Sequence, residues 1–142
     1  MSTLNEKIVH DVRERASSLG PIPNVRMAPI SLGYTFVELD NGLMGVCFTP
    51  RSGSHSHAHY PKAGTFSGKS VLELADLMTS SHPLEKKRGV AAVNALSRTI
   101  MDRQPEHYLE SDFLELLPFD GKKGGTGMVD QIGPFISLGI QV

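Results

Sequence analysis

The stretch SLGYTFVELDNGLMGVCFTP, residues 31–50, decides how the fold is read. Asn41-Gly42 sits between two runs rich in β-branched and aromatic residues, the strongest short-range signal for a β-hairpin closed by a type I′ turn. With Asn41 and Gly42 as a two-residue loop, Asp40 faces Leu43, Leu39 faces Met44, Val37 faces Val46 and Thr35 faces Phe48. These residues share one mostly apolar face, expected to lie against helices. The opposite face then carries Tyr34, Phe36, Glu38 and Cys47, polar at its edges and aromatic in its middle, which suits a partner surface.

Helices are expected on both sides of this hairpin. Thr3 and Glu6 fit the Thr-x-x-Glu capping box, and Leu4, Ile8, Val12, Ala16 and Leu19 follow at helical spacing until Gly20-Pro21. Ser70 and Glu73 repeat the capping-box pattern ahead of Val71, Leu74, Ala75 and Met78, in a short helix ending near TSSH. Pro83 and Glu85 suit the first turn of a long helix whose buried stripe is Gly89, Ala92, Val93, Leu96 and Ile100. The small residues Gly89, Ala91, Ala92 and Ala95 would let another backbone approach closely. Asn94, unfavourable inside a helix, is either solvated or placed to hydrogen-bond something. The order helix, hairpin, loop, helix, helix gives an α+β fold, a small antiparallel sheet packed against helices.

Composition narrows the function classes. The chain has 142 residues, 39% of them hydrophobic and 20% charged, with a formal net charge of −1. That is one soluble domain without the basic footprint of a nucleic-acid binder. Cys47 is the only cysteine, no window suits a membrane span and the N-terminus lacks a signal-peptide pattern, so a cytoplasmic location is expected. Gly64 and Gly68 are one residue short of phosphate-loop spacing. No nucleophile, base and orienting group stand out together, which leaves catalysis unassigned.

Residues 51–69, RSGSHSHAHYPKAGTFSGK, read as a long loop, and His55, His57 and His59 place half of the six histidines within five residues. Imidazoles at this density point to a divalent transition metal such as zinc or nickel. Along a straight strand His55 and His59 would lie roughly 13 Å apart, so all three reach one ion only if the loop bends. A solvated histidine-rich loop is the competing reading.

FVELDNGLMGVCFTPR (36–51) and AGTFSGKSVLELADLMTSSHPLEKKRGVAAVNALS (63–97) closely resemble the N-terminal domain of the heavy-metal-chelation proteins, a family of unknown function. The similarity covers roughly residues 5–118. It implies an enolase-N-terminal-like fold, a three-stranded antiparallel meander followed by helices, with a cleft toward a Rossmann-like second domain. Residues 119–142 look like the first strand and turn of that second domain, which then breaks off, so its missing part is an expected partner. The family string places a ligand-binding site at Thr65, Ser67, Thr79, Ser80, Ser81 and Asn94. The triple histidine is not carried over from the family.

Two functional expectations follow. One is a metal or metal-complex binding module using the loop 55–68, the turn 79–81 and Asn94. The other is a non-catalytic assembly domain, a homodimer formed through the Tyr34, Phe36 and Cys47 face and the C-terminal tail.

Overall fold

A computed structural model describes residues 1–31, 33–48 and 64–107. The fold is α+β: three helices and a three-stranded antiparallel sheet in the order β1-β2-β3. The elements are α1 (Leu4–Leu19), β1 (Val25–Met27), β2 (Tyr34–Leu39), β3 (Met44–Phe48), α2 (Val71–Ala75) and α3 (Pro83–Arg103). A 3₁₀ turn, Asp76–Thr79, continues α2, and a second, Pro105–His107, follows α3.

Local chemistry accounts for the helix boundaries. Thr3 Oγ1 accepts from the Glu6 N–H at 3.2 Å while Glu6 Oε2 accepts from the Thr3 N–H at 2.7 Å, the complete capping box. Gly20 ends α1 with φ of 144°, a conformation open to glycine. The second expected box is half-formed. Ser70 Oγ accepts from the Leu72 N–H, but the Glu73 carboxylate turns back toward Lys69 at 3.9 Å instead of reaching the cap backbone. Pro83 opens α3 at its first turn.

The hairpin register departs from the expectation. A type I′ turn needs positive φ at both loop residues, and among the described residues only glycines have it; here that is Gly42 alone, at φ of 83°. Asn41 Oδ1 accepts from the Leu43 N–H at 3.0 Å and its Nδ2 donates to Thr99 Oγ1 at 3.2 Å. These bonds favour a three-residue loop, Asp40 to Gly42. The Gly42 N–H donates to the Leu39 carbonyl at 3.0 Å, and the Leu39 N–H to the Leu43 carbonyl at 2.9 Å.

Pairing therefore slips by one: Glu38 opposes Met44, Val37 opposes Gly45 and Thr35 opposes Cys47. The inner face is Thr35, Val37 and Leu39, all fully buried, with Gly45 and the half-buried Cys47. The outer face carries Tyr34, Phe36, Glu38, Met44, Val46 and Phe48. Cys47 thus belongs to the core side and not to the aromatic face, because a one-residue slip exchanges the two faces of a strand.

Helix α3 is the centre of the packing. Its buried side includes Gly89, Ala92, Val93, Leu96 and Ile100, the expected stripe, and also Arg88, Ala91, Ala95 and Thr99. Small residues there let backbones meet. A methyl group on Gly45 would fall 2.9 Å from Ala95 Cα and closer still to the Ala91 carbonyl oxygen, and one on Gly89 would strike the backbone of Leu77 and Met78. Helix α1 packs on α3 through Val9 and Ala16, with Ile8, Val12 and Leu19 half-buried beside them. Leu4, expected in this stripe, is instead exposed. The Arg13–Asp76 ion pair and a bond from Asn5 Nδ2 to the Met78 carbonyl fasten α1 to the 3₁₀ turn.

Both sheet edges have partners. Residues 68–70 run beside β1, with the Gly68 N–H donating to the Val25 carbonyl at 2.8 Å and the Val25 N–H to the Lys69 carbonyl at 2.7 Å. On β3, the Val46 carbonyl accepts from Asn94 Nδ2 at 2.8 Å.

Candidate functional site

The expected site residues separate into four groups, one of which lies outside the described residues. His55, His57 and His59 fall outside the described residues, as does the tail 119–142.

The first place is the start of α3. Ser80 Oγ accepts from the His82 N–H at 3.1 Å and donates to the Glu85 carboxylate at 2.6 Å. This fixes the entry of the chain into α3, whose N-cap residue, His82, supplies no side-chain cap of its own. Thr79 Oγ1 donates to the Asp76 carbonyl at 2.8 Å, closing the 3₁₀ turn, and Ser81 is exposed. The positive end of the α3 dipole therefore already faces a carboxylate of the chain, Glu85.

Asn94 is elsewhere. It lies twelve residues along α3 from His82, about 18 Å at 1.5 Å per residue. Its amide is engaged with the Val46 carbonyl, so it clamps the sheet edge to the helix. Asn94 and the serine turn do not converge on one small ligand.

Thr65 and Ser67 flank Phe66, which is buried against α3. The Arg88 guanidinium stacks over the Phe66 ring at 4.4 Å from its centroid, and Lys69 Nζ approaches the same ring at 5.8 Å. Arg88 is only 3% exposed, and the aromatic face offsets part of the loss of hydration of its charge. Ser67 Oγ donates to the Arg26 carbonyl at 3.1 Å, tying this segment to β1.

Cys47 lies near the end of β3, just before residues 49–63. Burial pushes its thiol above the ordinary range, while the nearby Lys87 ammonium acts in the opposite direction. The chain enters residues 49–63 from β3 and leaves them toward Phe66, which packs on Arg88. Lys87 and Arg88 carried no motif in the sequence; their placement depends on the strand register and on where Phe66 packs.

One group of ligand-type side chains gathers among the described residues. His10, Asp11 and Glu14, all exposed on α1, bring one ligand atom each within 4.8 Å of one another. Their His-x-x-x-Glu spacing is readable in sequence but common on helix surfaces. No described helix is long and apolar enough to cross a membrane.

No curated protein matches the chain significantly. Two solved structures of proteins of unknown function from the DUF364 family share the fold. One, from Desulfitobacterium hafniense, has a TM-score of 0.55 at 13% identity, covering 75% of this chain and 41% of that one. The other, from Pyrococcus horikoshii, has a TM-score of 0.52 at 25% identity, covering 78% and 43%. The chain thus spans about two fifths of the length of these proteins. A family profile described as "Putative heavy-metal chelation" matches residues 13–97, more than half of the sequence, and the chain belongs to that family.

Proposed function

We propose that this chain is a metal or metal-complex binding module in which His55, His57 and His59 supply imidazole ligands. What supports the reading is the density of imidazoles at 55–59, in a segment that the chain leaves at Phe66, packed against Arg88 of α3. The segment lies within residues 13–97, the part of the chain matched by a family whose description names heavy-metal chelation. The partly exposed Lys87 ammonium suits an anionic metal complex better than a bare divalent ion. Zinc or nickel, free or held by an anionic chelator, is the class of ligand to test. Calorimetric titration of each form should show binding that is lost when His55, His57 and His59 are all changed to Ala. Equal affinity in the two proteins would refute the assignment.

A second reading, a homodimer, is favoured by the outer sheet face. Tyr34, Met44 and Phe48 are exposed there, and Tyr34 meets Phe48 edge-on at 6.0 Å between ring centroids. Light scattering at two concentrations should show a dimer that Phe48→Ser weakens. A monomer at both concentrations would eliminate this reading.

A further inference from the structure

We propose that α1 carries a separate, shallow site for a divalent transition-metal ion, formed by His10, Asp11 and Glu14. It does not rest on the loop histidines, and His10 and Asp11 precede the segment matched by the family.

Geometry supplies the first support. Two ligands each about 2.1 Å from a tetrahedral ion lie about 3.4 Å from one another. His10 Nδ1 and Asp11 Oδ1 are 3.5 Å apart, and the third ligand atom, from Glu14, lies within 4.8 Å of both. His10 and Glu14 are four residues apart on a helix, so their side chains share one face and close on an ion by side-chain rotation alone. The helix is held in shape by the Thr3–Glu6 capping box and the Arg13–Asp76 ion pair. The latter also gives the Arg13 charge a carboxylate partner away from the cluster.

The second support is a groove. Asp11 belongs both to the cluster and to the wall of a 290 Å³ groove between α1 and α3, together with Ile8, Val12, Ile100 and Met101. One imidazole and two carboxylates make a three-ligand set, which leaves a coordination position open for water or a small exogenous ligand. The groove offers that ligand an apolar surface beside the ion. Arg15, also on the groove wall, favours an acidic group on such a ligand.

The test uses the full chain with His55, His57 and His59 changed to Ala, titrated with zinc and with nickel by calorimetry. One residual binding event is expected, and adding either His10→Ala or Glu14→Gln should weaken it at least tenfold. Both added positions are on the surface, and far-ultraviolet circular dichroism verifies that α1 remains helical. No residual binding, or residual binding unchanged by both substitutions, would overturn the proposal. The loop assignment is judged separately, by comparing the triple variant with the unmodified chain.

Discussion

Gly45→Ala tests the packing of the sheet on α3 with one methyl group. The added Cβ would lie 2.9 Å from Ala95 Cα and nearer to the Ala91 carbonyl oxygen and the Ala95 nitrogen, where ordinary contact begins at 3.4 Å. All three atoms are backbone, so no side chain can rotate away; strand and helix must part by something on the order of 1 Å. Inserting a methylene-sized group into a packed core costs about 1–3 kcal/mol, and an immovable backbone on both sides puts this case near 3 kcal/mol. At about 4 °C per kcal/mol for a domain of this size, thermal unfolding followed by circular dichroism should fall by about 12 °C. Two other glycines calibrate the result. Gly42→Ala places a side chain at φ of 83° with open space around it, at a cost of about 1–2 kcal/mol. Gly33→Ala meets nothing within 4 Å and should change stability by less than about 0.5 kcal/mol. A Gly45→Ala variant within about 1 kcal/mol of the parent, or less damaged than Gly42→Ala, would show that the strand does not rest on the α3 backbone as described.

Two further outcomes follow from single groups. Asn94→Ala removes the 2.8 Å bond to the Val46 carbonyl and should cost about 1 kcal/mol, or about 4 °C; an unchanged midpoint would mean that water replaces the amide without loss. Because burial raises the Cys47 pKa, the folded state favours the neutral thiol. That contribution is fully present below the unfolded thiol value of about 8.5 and is lost as pH rises through the higher folded value. Thiol modification should therefore proceed with a pH midpoint above about 8.5, and a midpoint at or below that value would contradict the inward placement of Cys47.

Much of the fold was legible because it rests on local chemistry. Thr3 with Glu6, Pro83, and the apolar spacing of α3 each specify their element within a few residues. The hairpin was legible as a hairpin but not in its register. Asn41-Gly42 serves a two-residue turn or the second half of a three-residue one, and both strand faces are apolar enough to be buried. What favours the latter is distant in sequence: Thr99 receives the Asn41 amide, and Ala91 with Ala95 leave room only for Gly45. Strand β1 was hidden in PIPNVRMAP because its three residues are held by the β2 ladder and residues 68–70, not by their own pattern. The site was less legible still. Hydroxyl-rich TSS indicates a helix start equally well whether it binds a ligand or, as with Ser80, caps the chain itself. Asn94 could be singled out as anomalous from one helix alone, but its partner could not be named without the neighbouring strand.

The fixing of the residues on either side of 49–63, Cys47 in the β3 ladder and Phe66 against Arg88, bears on how such a domain changes over time. Once both ends of a segment are fixed by packing, each doubling of its length adds only about 0.6 kcal/mol of closure entropy. Insertions, deletions and substitutions between Phe48 and Gly64 then leave Gly45, Phe66 and the α3 core undisturbed. The scaffold can thus be inherited intact while the intervening segment is rewritten.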